Sequence, residues 1–494
     1  MKLAPLVTPA QAGMLDAYMI HQLEIPGIVL MEEAARALFD AVTRLQKQPC
    51  RVLCVAGSGN NGGDAWAVGR ILLAHGYDVQ MGATSLDLPG DARINSLFWQ
   101  HFPGRVTLLS EHSLPEFFSR SADVIVDGLL GTGLTRPASG FYGRIISAIN
   151  AHPAKVVSVD IPSGTFGDTG AGDLAVFADE TVTFQYAKPG HFLYPGRTHT
   201  GRLTVAKIGV DDGAPPPSLF LLEDVSLPPR DPSANKGSFG RLAIMAGSQG
   251  MAGAAVLTAR GALAAGAGLT TGLVCPFVQQ VLQAAVPPVT ARAVTACTTH
   301  LDGQVSFGDL SGFSALAIGP GLGLHKSFLP VLSEICASNL PKVIDADALN
   351  LLAGSGAPYH FGKNTVLTPH PKEFSRLSGL SMAQVLADPV SAARGFAQKH
   401  GVTLLLKGAT TVVAHKGDAC LIPFGSPSMA KGGSGDVLTG VIGALLAQGY
   451  PPYEAAVTGS GLCGKAGQLA AAQLGEYAPT AEDTIRLLGA AGRS

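Results

Sequence analysis

Short apolar runs, mostly β-branched, that end in Gly, Asn or Asp and give way to helix-period segments recur along this chain and leave few folds open. In the first 210 residues the runs are RVLCVA (51–56), YDVQMGA (77–83), DVIVDGLL (123–130) and KVVSVDI (155–161). They are apolar almost throughout, as strands covered on both faces must be. Between the first two, AWAVGRILLAHG (65–76) sets Trp66, Val68, Ile71, Leu72 and Leu73 at helical spacing and closes on Gly76. Strand, loop, helix, strand predicts a βαβ unit and a parallel sheet. Upstream, residues 24–42 predict a helix whose Met31, Ala34, Ala35 and Leu38 stripe covers either a core or a neighbouring subunit.

Composition breaks after GRLTVAKIGV, where DDGAPPPS (211–218) and LPPRDPSANKGS (227–238) concentrate proline and polar residues. The domain boundary is expected there, giving domains over 1–218 and 219–494. Beyond it the same grammar restarts with RLAIMAG (241–247), LTTGLVC (269–275), SALAIG (314–319), KVIDA (342–346), TVLT (365–368) and VTLLLKG (402–408), which predicts a second α/β domain. Two large α/β domains accommodate 494 residues, and no aligned repeat joins the halves.

Charged residues make up 14% of the chain against a usual share of roughly 25%, so much of it is available for cores. A net charge of -2 offers no broad positive field for nucleic acid, so anions must be held locally. Seven scattered cysteines without paired Cys-x-x-Cys spacing suggest a reducing cytoplasm rather than a zinc or disulfide scaffold. The opening MKLAPLVTPAQAGML is too short in apolar residues for a secretion signal, and the Ala/Gly-rich run at 252–275 is broken by Arg260. No membrane partner is expected.

GSGNNGGDAWAVGR (57–70) sits after the first strand and opens the first helix, where free main-chain N–H groups and the helix dipole favour a phosphate. Asn60, Asn61 and Asp64 add three hydrogen-bonding side chains to that turn. Two further strands end in acids followed by glycine-rich loops, VDGLLGTGLTRP (126–137) and VDIPSG (159–164). Singly each aspartate suits a helix cap or an Asx-turn. Parallel strands align their carboxyl ends, so Asn60, Asp127 and Asp160 are expected to converge on one crevice.

GNNGGD, DGLLGTGL and VDIPSG together resemble the YjeF N-terminal family, the NAD(P)H-hydrate epimerases. The resemblance implies a Rossmann-like three-layer domain and a potassium ion held by Asn61, Asp127 and the main-chain oxygen of Ser163. It also implies that Asn60, Asn61, Gly62, Gly63, Asp64, Gly131, Thr132, Gly133, Leu134, Thr135, Arg136, Pro137 and Asp160 bind a hydrated dinucleotide. Asp160 is the acid/base candidate. Epimerising C6 of a hydrated nicotinamide ring requires reversible loss of hydroxyl or ring opening, hence proton transfer by a carboxyl group. Potassium suits oxygen ligands.

In the second half, KGGSGDVLTGVIGALLAQG (431–449) sets Gly432, Gly433 and Gly435 in an amide-lined turn with Asp436 at the start of a helix. That arrangement suits a base beside a stabilised phosphate, or a helix cap. The turn resembles the anion hole of the ribokinase superfamily. With GSQGMAGAAVLTARGALAAGAGL (247–269), GPGLG (319–323), IDADALNLLA (344–353), TPHPKEFSRL (368–377) and LKGATTVV (406–413), it resembles the NAD(P)H-hydrate dehydratase family from about 236 onward. That implies a ribokinase-like α/β domain in which Ala254, one of Gly321 or Gly323, His370 and Asp436 contact the hydrated dinucleotide. Lys407, Gly408, Ala409, Thr410, Thr411 and Gly435 contact the adenine nucleotide. Asp436 would be the base, ADP the phosphoryl donor and Mg2+ the metal. Alone, His370 suits a helix cap and Lys407 a snorkelling lysine at a strand end. Asp345 and Asp347 suit either magnesium or the cap of the next helix, and the cap is the expected role.

The implied function is repair of hydrated NADH and NADPH. The first domain would interconvert the two epimers and the second would dehydrate one of them with ADP, giving AMP and phosphate. A homo-oligomer in the cytoplasm is expected. The rivals are a ribokinase-like kinase of a vitamin or sugar alcohol with a regulatory first domain, and a first domain that only binds. A stable phosphorylated product supports the kinase, and retention of Asn61, Asp127 and Asp160 opposes the mere binding module.

Overall fold

The computed structural model describes residues 1–210, 217–294, 297–356 and 359–493. The proline-rich stretch at 211–216, on which the boundary was expected, lies outside them. The chain divides into two compact units, one of residues Pro5–Pro217 and one of Ser218–Ser494 joined by Met1–Ala4. The first four residues thus pack with the second unit. The expectation of two α/β units with parallel sheets is met in both.

The N-terminal unit is built on seven parallel strands: β2 (Arg51–Ala56), β3 (Asp78–Ala83), β4 (Val106–Leu108), β5 (Val124–Gly128), β6 (Lys155–Val159), β7 (Glu180–Phe184) and β8 (Arg202–Ala206). Their order is β4-β3-β2-β5-β6-β7-β8. Strand alternation divides the apolar residues between two cores. Val52, Cys54 and Ala56 face one with Trp66, Val68 and Leu72 of helix Asn60–Ala74, while Leu53 and Val55 face the other with Ile145, Ile146 and Ile149 of helix Gly140–Ala151. Burying each such isoleucine fully is worth about 2 kcal/mol. Helix Gly27–Leu45 lays Met31, Ala35 and Leu38 on the first of these cores, which decides the role left open for that stripe. The strand order reverses between β2 and β5, so the loops leaving these strands diverge and open a crevice at their carboxyl ends.

The second unit contains β9 (Leu219–Asp224), β10 (Arg241–Met245), β11 (Leu269–Val274), β12 (Thr290–Ala293), β13 (Ala315–Ile318), β14 (Lys342–Ile344), β15 (Thr365–Leu367), β16 (Thr403–Leu406), β17 (Thr411–His415) and β18 (Asp418–Ile422). The sheet runs β1-β9-β18-β17-β16-β15-β14-β13-β10-β11-β12, with β1 (Lys2–Leu6) at its edge. From β16 to β12 it is parallel, whereas β16, β17 and β18 form antiparallel hairpins. Its order reverses between β10 and β13, and helix Ser434–Ala447 buries Val437, Leu438, Val441, Ile442 and Leu445.

Candidate active sites

In the N-terminal unit, residues 60–64 form the first turn of helix Asn60–Ala74 rather than a loop. The two glycines there are packing necessities. A Cβ on Gly62 would lie 1.9 Å from the Gly57 carbonyl oxygen, and one on Gly63 would lie 2.6 Å from Met31 Cε. Asn61 points into the fold, its Nδ2 donating to the Leu130 carbonyl at 3.0 Å and the Val159 carbonyl at 3.1 Å.

Asp127 lies within β5 and is fully buried. Its Oδ2 accepts from Ser158 Oγ at 2.9 Å and Ser163 N at 3.0 Å, and its Oδ1 from Ser163 Oγ at 2.6 Å and Leu129 N at 3.3 Å. It is neither a helix cap nor part of the crevice wall. Burial raises its pKa above the ordinary carboxylate value, partly offset by the Ser163 and Ser158 bonds. The expected convergence of Asn60, Asp127 and Asp160 is therefore partial, because Asp127 sits inside the strand, behind the surface that Asn60 and Asp160 line.

A cavity of about 300 Å³ opens at the strand ends, with Asn60, Asp64, Thr132 and Asp160 in its wall. Gly133, Thr135, Arg136 and Pro137 lie on an exposed loop. Asp160 has φ +61°, a left-handed conformation that costs a non-glycine residue roughly 1 kcal/mol or more. Main-chain bonds hold it there: its N–H donates to Val182 O at 2.7 Å, and His191 Nε2 donates to its carbonyl at 2.9 Å. His191 Nδ1 accepts from Lys188 N, which fixes the neutral tautomer, and burial beside Lys188 pushes the ring down to about 4.

The Asp160 side chain takes Lys188 Nζ at 2.5 Å and Thr183 Oγ1 at 2.8 Å, both on Oδ1. Burial favours its neutral form, but Lys188 and Thr183 outweigh that, so its pKa falls below the ordinary value. Asp64 behaves oppositely: burial, then the charges of Asp160 and Asp16, push it well above that value. Lys188, Thr183, His191 and Asp16 had not been singled out. AKPGH (187–191), following β7, was the available signal, a lysine at the carboxyl end of a buried strand.

In the second unit, Asp345 immediately precedes helix Ala346–Ala353 yet makes no side-chain cap. It accepts Lys407 Nζ at 2.8 Å on Oδ1 and Thr439 Oγ1 at 2.8 Å on Oδ2. The cap expectation is overturned because a charge-assisted bond to a partly buried ammonium is stronger than one to a main-chain amide. Asp347 also does not cap, and its Oδ2 accepts Gly323 N at 2.9 Å, tying the glycine-rich loop to this helix. Lys407 does not snorkel. Burial disfavours its charge, but Asp345 and Glu373 more than restore it, leaving its pKa raised.

Asp436 stands in the first turn of helix Ser434–Ala447, whose cap residue is Gly433 with φ +94°. The aspartate is thus free of capping duty. Burial and the Asp345 charge, opposed by Lys407, push it up to about 6. A Cβ on Gly435 would lie 3.5 Å from both Asp345 Oδ2 and Lys407 Nζ, so the glycine turn abuts that ion pair.

His370 does cap a helix. Its Nδ1 accepts from the N–H groups of Lys372 (3.1 Å) and Glu373 (3.3 Å), while Glu373 Oε2 accepts the His370 N–H at 2.9 Å. The ring, about half exposed, also sets its Nε2 3.4 Å from Glu373 Oε1. Gly321, with φ +61°, lies against Ala254, where a Cβ would approach the Ala254 Cβ to 2.9 Å. The loops after β10 and β13 thus meet at the reversal of strand order.

Residues 27–190 match the family described as YjeF-related protein N-terminus, and residues 242–487 match NAD(P)H-hydrate dehydratase. The bifunctional NAD(P)H-hydrate repair enzyme Nnr of Moorella thermoacetica is 38% identical over 516 residues, covering 98% of this chain and 96% of that one. The enzyme of the same description from Escherichia coli is 37% identical over 469 residues, covering 93% and 88%. Among solved structures, the ADP/ATP-dependent NAD(P)H-hydrate dehydratase from Bacillus subtilis, co-crystallised with ATP/Mg2+, is 29% identical. It covers 54% of this chain and 93% of that chain at a TM-score of 0.49.

Proposed function

The chain belongs to the bifunctional NAD(P)H-hydrate repair enzymes, and on that premise we propose that its two units divide the repair of hydrated NADH and NADPH. The N-terminal unit epimerises the hydrates at C6 in the cavity lined by Asp160. The C-terminal unit dehydrates one epimer with ADP, giving AMP and phosphate. The observation that carries this reading is the pairing, in one chain, of two aspartates at carboxyl ends of separate sheets, each bonded to a lysine ammonium, Lys188 buried and Lys407 partly so. The vitamin or sugar kinase with a regulatory first domain is not favoured, since the relatives that match nearly the whole chain are repair enzymes.

In the dehydratase unit, Asp436 takes the proton of the ring hydroxyl. At about 6 its pKa lies low enough for ionisation at neutral pH and high enough for useful basicity. The oxygen then attacks the terminal phosphorus of ADP, AMP leaves, and departure of phosphate from C6, driven by the N1 electron pair, with loss of a proton from C5 restores the dihydronicotinamide. Lys407 through Thr411 and Gly435 face the nucleotide, with the Lys407 ammonium kept charged by Asp345 and Glu373. Ala254, one of Gly321 or Gly323, and His370 contact the hydrated dinucleotide. Asp345, whose carboxylate lies by the glycine turn, would help hold a Mg2+, which would supply neutralisation of charge on the transferred group.

In the epimerase unit, Asn60, Asp64 and Asp160, with the 131–137 loop, hold the damaged ring and its dinucleotide. Asp127 is a buried carboxylate with no cationic side chain paired to it among the described residues, so its charge suits a monovalent cation. Asn61 Oδ1, Asp127 and the Ser163 main-chain oxygen would hold potassium, which would brace the 127–163 loops. We expect self-assembly, which exposed Val29 and Ile94 beside one surface groove support and light scattering tests. A reducing cytoplasm accords with seven unpaired cysteines.

The test is to incubate purified protein with an epimeric mixture of hydrated NADH, ADP and Mg2+ and follow the dihydronicotinamide absorbance. Recovery of the whole mixture is expected. Recovery that needs no nucleotide overturns the dehydratase assignment, and release of a stable phosphorylated product restores the kinase.

A further inference from the structure

We propose that the epimerisation cavity uses two carboxyl groups in opposite roles, with Asp160 taking the proton of the ring hydroxyl and Asp64 giving one to the ring nitrogen. This rests on the epimerase reading of the N-terminal unit and assigns the acid that reading lacks.

The cavity is lined by four acids, Asp16, Asp64, Asp91 and Asp160, and one cation, Lys188. Lys188 is 2% exposed and its ammonium is committed to Asp160 Oδ1 and to Thr183 Oγ1, the latter at 2.9 Å. Asp160 therefore stays ionised, with Oδ2 bearing neither of its hydrogen bonds and left to accept a proton. Asp64, on the neighbouring helix, is 8% exposed and lines the same cavity. Among the described residues its carboxyl meets no cation and no donor. A carboxylate so placed, facing the charge of Asp160 and of Asp16, holds its proton. Asp16 is exposed, and Lys188 pulls back the rise that burial causes in it, so it is the weaker candidate. Groups whose surroundings drive their proton affinities apart are matched to acid and base duty.

The step balances without any further reagent. The hydroxyl O–H on C6 breaks, its proton going to Asp160, and a C6=O bond forms. The C6–N1 bond breaks with its electron pair going to N1, which takes the Asp64 proton. The open-chain aldehyde turns about C5–C6 and presents its other face. N1 returns its proton to Asp64 and attacks C6, while the carbonyl oxygen recovers the proton held by Asp160.

The experiment follows interconversion of one purified NADH-hydrate epimer by chromatography from acid to alkaline pH, after subtraction of the enzyme-free rate. Wild type should lose kcat/KM at low pH, as Asp160 protonates, and at high pH, as Asp64 ionises. Asp64→Asn should lower kcat about 100-fold and abolish the alkaline limb, and Asp64→Glu should restore that limb. Asp160→Asn should abolish the acid limb. An Asp64→Asn enzyme with wild-type rate or an unchanged alkaline limb overturns the proposal. So does early melting of this variant, because an amide replaces a neutral acid without change of charge or shape. If wild type itself does not epimerise, the epimerase reading fails instead.

Discussion

The two units each set a lysine, fully buried in the first and partly buried in the second, against an aspartate at the site of the assigned chemistry, but they connect that pair to it differently. In the N-terminal unit, Lys188 grips Asp160 itself, and its charge keeps that carboxyl ionised despite burial. In the C-terminal unit, Lys407 is taken by Asp345, while Asp436, one helix away, rises to about 6. Burial acts in the same direction on both acids. The partner of the lysine decides whether the carboxyl is held as an anion or poised near neutrality.

The largest effect that tests this contrast is expected from Asp436→Asn. Dehydration should fall about 100- to 10,000-fold while epimerisation of a purified epimer is unchanged, measured on the same preparation. In wild type the dehydration rate should drop as pH falls through about 6, because the protonated Asp436 no longer accepts the hydroxyl proton. A flat profile there would show that Asp436 is not the base.

Lys188→Met removes the cation and strands a mostly buried carboxylate, at a cost of about 3 kcal/mol, read by urea unfolding of the variant. In the same variant the acid limb of epimerisation should move to higher pH, since Asp160 loses the charge that lowers it. If neither stability nor the limb moves, the Lys188 clamp is dispensable.

Lys407→Gln should shift the acid limb of dehydration upward rather than abolish it, because Lys407 is the cation that holds Asp436 down, and should raise the KM for ADP. A change in KM with the limb fixed would assign Lys407 to the nucleotide alone. The smallest effect is at His370. Replacement by Ala should cost about 1 kcal/mol through the lost cap, and Asn should recover it. If Asn also recovers the KM for the hydrate, the ring serves only the helix.

Much of this was legible in the chain. The buried strands 51–56, 124–128 and 155–159 are long apolar runs closed by glycine or acid, and periodicity finds such segments. The apolar pattern does not reveal strands β4, β7, β8, β9, β12, β17 and β18. Their exposed or polar residues, such as Arg202, Glu223 and Asp418, break the apolar pattern that marks a strand covered on both faces. Met1–Ala4 escaped for another reason, since no local pattern announces that a chain's opening strand pairs far along the sequence.

The sequence by itself determined the α/β architecture, the glycine-rich turns at the strand ends and the acids beside them, because these follow from local backbone and side-chain preferences. Only the tertiary structure decided that Asp127 is taken up by Ser158 and Ser163, that Asp345 abandons the helix end for Lys407, and that Lys188 reaches Asp160. The physical reason is that a carboxyl group's charge state depends on which cation shares its low-dielectric surroundings. Packing of distant segments sets that neighbour, as Asp345 and Lys407, 62 residues apart, illustrate.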